Sequence, residues 1–376
     1  MVEIIFFSDS KCGGMYPLNL GRCISTLHYG GRSISDQWKD AFNATINKRI
    51  RLNSRLLPVT SSIIAIEQLR PGDQWIHKGV LIAEVEGLAE VNEVQTDTHP
   101  TLLNSPAELF EKCGEGIQED LDRIRTSWRT RTLQEDERAA WAQSGVFVHG
   151  PLDRIHVAPG AIIRSCSLNT EQGDIILGVD SELMEGCRVR GPFVLGSQSQ
   201  LKMGTLIYGP TSVGSNCRVG GEINNSVFHN YSNKAHAGFL GNSVIGSWCN
   251  LGADTTSSNL KNNYSEVNVW DNESESLEKS GRIFHGLIMG DHSKTAIHTT
   301  FNTGTIVGAF CNVFGNGILA KHVPSFTWGG AETSEIHDIE KALDTAKKVM
   351  KRRGVELSSE EEVNIRQMHK SSTFGI

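Results

Sequence analysis

An aliphatic residue returns at every sixth position over one long stretch of the chain, and this period constrains the fold more than any other feature. The repeat runs without a slip through Leu177, Leu183, Val189, Leu195, Leu201, Ile207, Val213 and Val219. Neither the period of a helix nor the alternation of a half-buried strand explains an exact repeat of six. The period is typical of a coiled parallel β-helix in which each six residues form one flat wall.

Three such walls make a triangular coil of about eighteen residues, and successive coils stack at about 4.8 Å, the spacing of paired strands. Mostly small residues, such as Ser181, Cys187 and Thr205, fill the slot four positions after each aliphatic, which suits a tight corner. The sequence therefore predicts a mainly β fold, a left-handed parallel β-helix of the hexapeptide-repeat type. The handedness is taken by analogy with this repeat class.

The six-residue register is predicted to break after Val219, to resume briefly at Ile245 and Leu251, and to return fully at Met289. Between the two tracts, residues 254–285 are polar and rich in Asn, Ser and Glu. This composition predicts a loop extending from one corner of the prism, and loops of such length are usually functional or disordered.

The rest of the chain divides into segments with different patterns. Residues 1–105 are expected to form a small α/β domain, with a helix over Ser35–Ile50 and a strand or hairpin over Trp75–Val85. Residues 106–144 predict a charged helical connector and residues 145–330 the β-helix. Residues 331–376 predict helices over Thr333–Arg353 and Ser358–His369 that cover the open edge of the last coil.

Composition excludes several classes of function. No apolar run approaches the roughly eighteen residues of a membrane span, and the first residues lack the pattern of a secretory signal, so we expect a cytoplasmic protein. A net charge of −7 argues against a nucleic-acid partner. None of the cysteines forms a C-x-x-C pair, so we expect reduced thiols and no structural metal site.

Polar residues gather between Gly220 and Tyr264, where the register weakens. In order along the chain this stretch contains Lys234-Ala235-His236, Phe239-Leu240-Gly241, Ile245-Gly246, Asn250-Leu251-Gly252-Ala253 and Asn259. This order and spacing resemble the acetyltransferase domain of the bifunctional N-acetylglucosamine-1-phosphate uridyltransferase/glucosamine-1-phosphate acetyltransferase family, which serves UDP-N-acetylglucosamine biosynthesis. From about Phe6 to Gly330 the chain is similar to a variant branch of that family, called sugar nucleotidyltransferases, through motifs such as Arg190-Gly191-Pro192-Phe193 and Met289-Gly290-Asp291-His292.

The resemblance implies an acyltransferase that moves an acetyl group from acetyl-CoA to an amino sugar, a sugar phosphate or a nucleotide sugar. His236 matches the general base, a role that a neutral imidazole suits, and Asn259 matches the asparagine that orients the amine. The implied substrate contacts are Glu222, Asn224, Lys234, Phe239, Asn250 and Lys261. Ala253 and Ile297 are implied on the acyl-donor side, and the family's assembly implies a homotrimer with sites between subunits.

The chain departs from the family pattern where the sugar phosphate binds. Leu206 and Asn224 stand where an arginine and a lysine are expected, and Phe239 and Leu260 replace tyrosines. Lys202, Arg218 and Lys261 are alternative sources of the missing charge. The resemblance implies no site role for His292 or His298, and both are expected to lie on the outer walls.

In the variant branch the amino-terminal domain is a sugar nucleotidyltransferase, which must cradle a triphosphate and hold magnesium. Gly13-Gly14-Met15 lacks the basic residue of such a loop, so we expect a degenerate domain whose remaining contacts are Arg22, Asn53 and Arg55. Mg²⁺ is expected only if this domain is active. Three functions therefore stay open: a sugar acyltransferase, a sugar-1-phosphate nucleotidyltransferase, and a non-catalytic protein that binds a sugar or acts as a scaffold.

Overall fold

The structure is a computed structural model that describes residues 3–42, 48–87 and 91–373. From Phe147 to Gly329 the chain winds into a three-sided prism of short parallel strands. The predicted fold class, a left-handed parallel β-helix with a small α/β domain before it and helices after it, is confirmed.

The three walls of the prism are ladders of strands in register. Wall A consists of the parallel strands Ile155–Val157, Ile175–Leu177, Phe193–Leu195, Thr211–Val213, Val227–Phe228, Val244–Ile245, Ile288–Met289, Ile306–Val307 and His322–Val323, with Arg131–Thr132 antiparallel at one edge. Wall B consists of Ile162–Ile163, Glu182–Leu183, Gln200–Leu201, Arg218–Val219, Asn233–Lys234, the single rung Asn250, Lys294–Thr295, Asn312–Val313 and Thr327–Gly329. Wall C consists of Phe147–His149, Ser167–Asn169, Arg188–Arg190, Leu206–Tyr208, Glu222–Asn224, Phe239–Gly241, Thr256–Ser257 and Thr300–Phe301.

Side chains at the repeating aliphatic positions form the interior of the prism. Leu177, Leu195 and Val213 are partners on successive rungs of wall A and are fully buried. Burial of each such side chain contributes about 1.5–3 kcal/mol, so these columns are the main stabilising element of the coil. The corner cysteines are buried, as predicted: Cys187, Cys217, Cys249 and Cys311.

The prism continues through the stretch where the register was predicted to break. The interior positions there are Ile223, Phe228, Lys234, Leu240, Ile245, Leu251 and Ser257. Some corners in this stretch are shorter than elsewhere, so the spacing falls below six residues while the walls stay in register. The six-residue register therefore breaks as predicted, through shorter corners, while the stacking of the coils continues across the break.

An excursion leaves the prism between walls C and A. It begins after Ser257, later than the predicted Asp254, and the chain rejoins the coil at His285. It carries an antiparallel hairpin, Asn268–Asp271 with Ser276–Lys279, and Leu260 pairs with Phe284 at its base.

The amino-terminal domain is a mixed sheet in the order Glu3–Phe7, Arg49–Asn53, Val80–Val85, Asp73–His77 and Asn92–Val94. The predicted hairpin over Trp75–Val85 is confirmed, since its two strands pair antiparallel. Helix α1 covers Ile34–Phe42 and helix α2 covers Thr60–Glu67; residues 43–47 of the predicted helix lie outside the described residues. The prediction of helix at Arg49 and Ile50 is wrong, because both belong to a strand whose Ile50 packs in the core.

Helices α3 (Ala107–Glu111), α4 (Cys113–Ser127) and α5 (Arg138–Gln143) connect this domain to the prism, and a short two-stranded ribbon, His28–Tyr29 with Arg32–Ser33, precedes α1. The domain packs on the outer face of wall A. The outward residues of that wall are aliphatic and share one core with the amino-terminal domain: Ile176, Val194, Val227, Val244, Ile288 and Ile306. Wall A is therefore buried on both faces, whereas walls B and C keep exposed outer surfaces.

Two carboxy-terminal helices, α6 (Ile339–Lys351) and α7 (Ser359–Thr373), pack against the corner between walls A and B. The residues from Ser334 to Ile336, predicted as helix, form an antiparallel strand that covers the last rung of wall B. The helices contact Phe310 and Phe326, the last members of an aromatic column that follows this corner: Tyr231, Trp248, His292, Phe310 and Phe326. The prediction of His292 on an outer wall is wrong, because its ring is buried in this column.

Candidate active site on the corner between walls B and C

The corner between walls B and C brings together the predicted base and the two predicted acyl-donor residues. His236, Ala253 and Ile297 lie on this corner in three successive turns of the coil. His236 is exposed, and Ile297 keeps 65% of its surface. The Ala253 carbonyl accepts a hydrogen bond from the His298 backbone at 2.8 Å, which leaves one lone pair free. The three residues therefore form one exposed edge of the prism.

Wall C supplies the predicted substrate contacts beside this edge. Glu222 and Phe239 are partners on neighbouring rungs, and Asn224 is the partner of Gly241. A Cβ atom on Gly241 would lie 2.6 Å from Phe239 Cζ and 2.7 Å from Asn259 Nδ2. Only glycine leaves room for this ring and this amide to meet over the backbone, so Gly241 shapes the surface next to Glu222.

Asn259 is held by a neighbour on the corner between walls C and A. Its Nδ2 donates to Oδ1 of Asn242 at 2.8 Å, and its backbone carbonyl accepts from the His285 amide at 2.9 Å. The side chain is thereby fixed at the point where the excursion leaves the prism. Asn259 stays beside Phe239, which agrees with a role in orienting a bound group.

Lys234 occupies an interior position and not the outer surface. It is the partner of Val219, its side chain is 1% exposed, and Nζ donates to the carbonyls of Gly220, His236 and Ala237 at 3.0–3.3 Å. Burial lowers the pKa of Lys234 to about 8, against a smaller opposing effect of Asp254. The ammonium thus braces the backbone of the corner that carries His236.

Two further predicted contacts lie apart from this group. Asn250 is exposed on wall B, on the other side of the corner from Glu222. Lys261 lies on the excursion, where Nζ donates to the Glu266 carbonyl and, at 3.4 Å, to the Ser265 hydroxyl. It lines a shallow depression of about 430 Å³ together with Leu260 and Asn302.

Sequence reasoning missed a contact between a histidine and a carboxylate on the same corner. His298 Nδ1 lies 3.5 Å from Asp254 Oδ2, and both residues adopt left-handed backbone conformations with φ of 57° and 58°. Both side chains are largely exposed, one turn of the coil apart. The excursion separates them by more than forty residues in sequence, so only the coil register could have shown that they meet.

In the amino-terminal domain, Asn53 and Arg55 come together around Asp9. Arg55 Nη2 lies 2.5 Å from Asp9 Oδ2, and Asn53 Nδ2 donates to the same oxygen at 2.9 Å. Burial raises the pKa of Asp9, but the hydrogen bonds from Arg55 and Asn53 outweigh it and the pKa falls to about 2. Arg22 lies elsewhere, bound to Asp291 at 3.0 Å on the prism.

A cavity of about 890 Å³ lies between the amino-terminal domain and the hairpin of the excursion. The loop Ser10–Tyr16 and residues 104–107 line one side of it. The hairpin, with Trp270 and Lys279, and Arg282 just after it line the other side. Arg22, Asn53 and Arg55 do not line it. The glycine-rich loop therefore faces a cavity, although the residues predicted to assist it do not.

Within the described ranges, no cluster of three or more His, Cys, Asp or Glu side chains is arranged to hold a metal ion. Asp9, the carboxylate closest in sequence to the Gly13-Gly14 loop, is already engaged by Arg55 and Asn53. This donor set does not fit Mg²⁺, which requires available oxygen ligands. None of the helices in the described part of the chain is both long and apolar enough to cross a bilayer.

Curated proteins with related sequences match part of the chain. It is 30% identical over 109 residues to the Bifunctional protein GlmU of Methanocaldococcus jannaschii, an alignment that covers 28% of this chain and 26% of that protein. It is 31% identical over 102 residues to a bifunctional sugar-1-phosphate nucleotidylyltransferase/acetyltransferase of Sulfurisphaera tokodaii, covering 27% of this chain and 25% of that protein. The predicted resemblance is thereby confirmed, although the chain spans about a quarter of these relatives' length.

No protein-family model matches the chain. Among solved structures, the polySia specific acetyltransferase NeuO aligns with a TM-score of 0.30 and 13% identity, covering 55% of this chain and 99% of that one.

Proposed function

We propose that this protein is an acyltransferase that moves an acyl group from acetyl-CoA to the amine of an amino sugar, a sugar phosphate or a nucleotide sugar. The observation that carries the proposal is the exposed edge formed by His236, Ala253 and Ile297 beside Glu222 and Phe239 on wall C, with Asn259 held next to Phe239 at the start of the excursion. The partial match to bifunctional nucleotidyltransferase/acetyltransferases supports the same reaction class.

In this reaction the acceptor amine attacks the thioester carbonyl of the acyl donor. A C–N bond forms, the C–S bond breaks, and the thiolate of CoA leaves. His236 takes the proton from the attacking nitrogen and returns it to the thiolate, a transfer that contributes about 10²–10⁴-fold to the rate in enzymes of this kind. Glu222 and Asn259 hold the sugar, and the Ala253 carbonyl and Ile297 hold the acyl-donor arm.

Lys234 acts in this proposal as a positioning residue. Its ammonium holds the carbonyls of His236 and Ala237, so it fixes the backbone from which the base extends. It does not touch the sugar.

A homotrimer completes the proposed site. The edge between walls B and C is convex and exposed, so a sugar held by wall C and an acyl-donor arm held by Ile297 need a second surface to close over them. A neighbouring subunit supplies that surface. Light scattering on the full chain tests this directly: a trimer supports the proposal, and a monomer at all concentrations contradicts it.

The decisive experiment measures release of the CoA thiol from acetyl-CoA in the presence of a panel of amino sugars and amino-sugar phosphates. The wild-type chain is expected to release CoA with at least one acceptor, and His236→Ala to lower kcat by about 10²-fold or more. His99→Ala is the matched control, because His99 is an exposed histidine of the amino-terminal domain.

His298→Ala tests the other histidine on the corner. Unchanged turnover in His236→Ala, together with loss in His298→Ala, would assign the base to the Asp254–His298 pair. Unchanged turnover in both variants rules out a histidine base on this corner.

A second candidate function is a sugar-1-phosphate nucleotidyltransferase, and the cavity beside the Gly13-Gly14 loop favours it. Release of pyrophosphate from a nucleoside triphosphate and a sugar 1-phosphate, dependent on Mg²⁺ and abolished by Lys11→Ala, supports it. The Asp9 network argues against a magnesium site there. A chain that binds amino sugars without either activity is the third candidate, a sugar-binding or scaffold protein.

A further inference from the structure

The outer face of wall C contains a groove that no part of the proposed mechanism uses. Its volume is about 300 Å³, and its polar lining consists of His149, Ser167, Asn169, Arg188, Arg190 and Tyr208. The groove lies on the turns of the coil that precede Glu222, on the same face of the prism.

Two arginines dominate the charge of this groove. Arg188 and Arg190 flank the inward-facing Val189 on one strand, and both are exposed. Neither guanidinium has an ion pair or hydrogen bond to another residue in the described parts of the chain. Arg164 on wall B, by contrast, is bound to Glu182 at 2.9 Å. The chain as a whole carries a net charge of −7, so this groove is a local concentration of positive charge on an acidic protein.

The register relates these arginines to the proposed sugar site. Arg188, Leu206, Glu222 and Phe239 are partners on successive rungs, so Arg188 lies two rungs from Glu222. At about 4.8 Å per rung the separation is about 10 Å, a distance that a long arginine side chain and a sugar with an attached phosphate can span together. Leu206 lies on the rung between Arg188 and Glu222, and its side chain carries no charge that would repel or compete for a bound phosphate.

The other column of outward-facing residues on wall C, which contains Arg190 and Tyr208, also places a cation near the proposed sugar site. Arg190 and Tyr208 are partners on neighbouring rungs, and Tyr208 keeps 43% of its surface exposed. An exposed ring beside a guanidinium offers an apolar platform next to a cation, a combination suited to a sugar or base that carries phosphate.

We propose that Arg188 and Arg190 bind the phosphate of the acceptor. This inference rests on the proposed acyltransferase and narrows its substrate to amino sugars that carry a phosphate or a nucleoside diphosphate. The planar guanidinium fork binds phosphate oxygens in pairs, which a single lysine does not. The groove thereby supplies the positive charge missing at Leu206 and Asn224 from a strand that lies one turn of the coil before Leu206 and two turns before Asn224.

Calorimetric titration of the full chain with glucosamine 1-phosphate, and separately with glucosamine, tests the proposal. We expect Arg188→Ala/Arg190→Ala to weaken binding of the phosphate ester by about tenfold or more, because the phosphate loses its charged hydrogen bonds to both guanidinium groups. Binding of glucosamine should be unchanged, and Arg188→Lys/Arg190→Lys should keep part of the affinity. Arg125→Ala is the matched control, an exposed arginine on α4 far from the groove in sequence.

Weaker binding of the ester at high ionic strength in the wild-type chain is a second expected result, because exposed charge pairs are screened by salt. An affinity that responds neither to salt nor to the double substitution overturns the proposal, as does no binding of the ester by the wild-type chain. These outcomes are separate from the proposed reaction: binding that depends on the arginines without any CoA release leaves the groove in place and contradicts the acyltransferase.

Discussion

At the scale of single residues, Lys234 shows how a motif can match while the role of one member differs. The Lys-Ala-His run predicted a lysine that contacts substrate, but the coil places it in the interior column next to Val219. An unpaired ammonium there would be costly, and the three carbonyl partners offset that cost. In the proposed mechanism the residue therefore acts only through the backbone of His236.

Substitution of Lys234 by Met keeps the volume of the side chain and removes the ammonium. We expect the free energy of unfolding at pH 7.5 to fall by about 1–3 kcal/mol, because three buried carbonyls lose their donor. Urea unfolding followed by circular dichroism measures this. Lys202→Met is the control at a partly exposed position on an earlier turn of the same corner.

The pH dependence of the unfolding free energy, compared between the wild type and Lys234→Met, tests whether the Lys234 ammonium is buried. The pKa of Lys234 in the folded chain is lowered to about 8 from about 10.5, so this group contributes stability that is present above pH 10.5 and is lost as the pH falls through 8. The unfolding free energy of the wild type, relative to Lys234→Met, should therefore rise between pH 8 and pH 10. A constant difference across this range would place the ammonium in solvent.

At the scale of elements, wall A shows that a sequence can indicate that a strand is buried on both faces without indicating which segment covers it. Two strands of wall A, Ile175-Ile176-Leu177 and Phe193-Val194-Leu195, are apolar at all three positions, a pattern typical of strands buried on both faces. The six-residue period predicted only the inward residue of each triplet. The outward residue, such as Val194, could have predicted a covered wall, but not which segment of the chain covers it.

Val194→Asp tests whether this contact is essential. Val194 is fully buried, and a Cβ on Gly31 of the amino-terminal domain would lie 3.2 Å from its Cγ1 atom. An unpaired carboxylate there should lower the free energy of unfolding by about 3 kcal/mol or more. Thr300→Asp, on the exposed outer face of wall C, should change it by less than about 0.5 kcal/mol.

Equal effects of the two substitutions would mean that the amino-terminal domain does not rest on wall A. Urea unfolding of both variants beside the wild type gives the comparison.

The fold and much of the site follow from patterns in the sequence, and the misses have physical causes. The period of six predicted the prism, since the interior needs one aliphatic residue per wall. It could not show that Ile223 and Phe228 continue the coil, because corners can shorten without disturbing the stacking. The contact between Asp254 and His298 and the groove that contains Arg188 and Arg190 could not be predicted for a related reason. Contacts between turns of the coil depend on the length of every corner between them.

At the scale of the whole molecule, three buried histidines and the half-buried His322 lie where the amino-terminal domain, the excursion and the prism meet. The His28 amide donates to His229 Nε2 at 3.3 Å, His285 packs edge-on against Phe110, and His322 stacks on Trp270. Burial lowers the pKa of His28, His285 and His322 to about 4, and that of His229 well below its usual value. All four are neutral at pH 7.

This arrangement predicts that acid separates the domains. An unfolded histidine titrates near pH 6.5, whereas burial lowers the pKa of His28, His285 and His322 to about 4 and that of His229 well below its usual value. The contribution of these groups to stability is therefore present above pH 6.5 and is lost as the pH falls toward 4. We expect the urea midpoint to fall steeply between pH 6.5 and pH 4.5.

His322→Gln should flatten that dependence, by at most about 1.4 kcal/mol per pH unit for one group. His99→Gln, at an exposed histidine, should leave it unchanged. The same slope in all three proteins would show that His322 is accessible to solvent in the folded chain.

The shared core between the amino-terminal domain and wall A also has a consequence during synthesis. The domain leaves the ribosome before the strands that cover its aliphatic surface exist, and the last of them, Ile306–Val307, follows about 200 residues later. At translation rates of about 5–20 residues per second that surface stays uncovered for roughly ten seconds or more. Nascent chains of this protein should therefore depend on a chaperone that shields apolar surface until the prism is nearly complete.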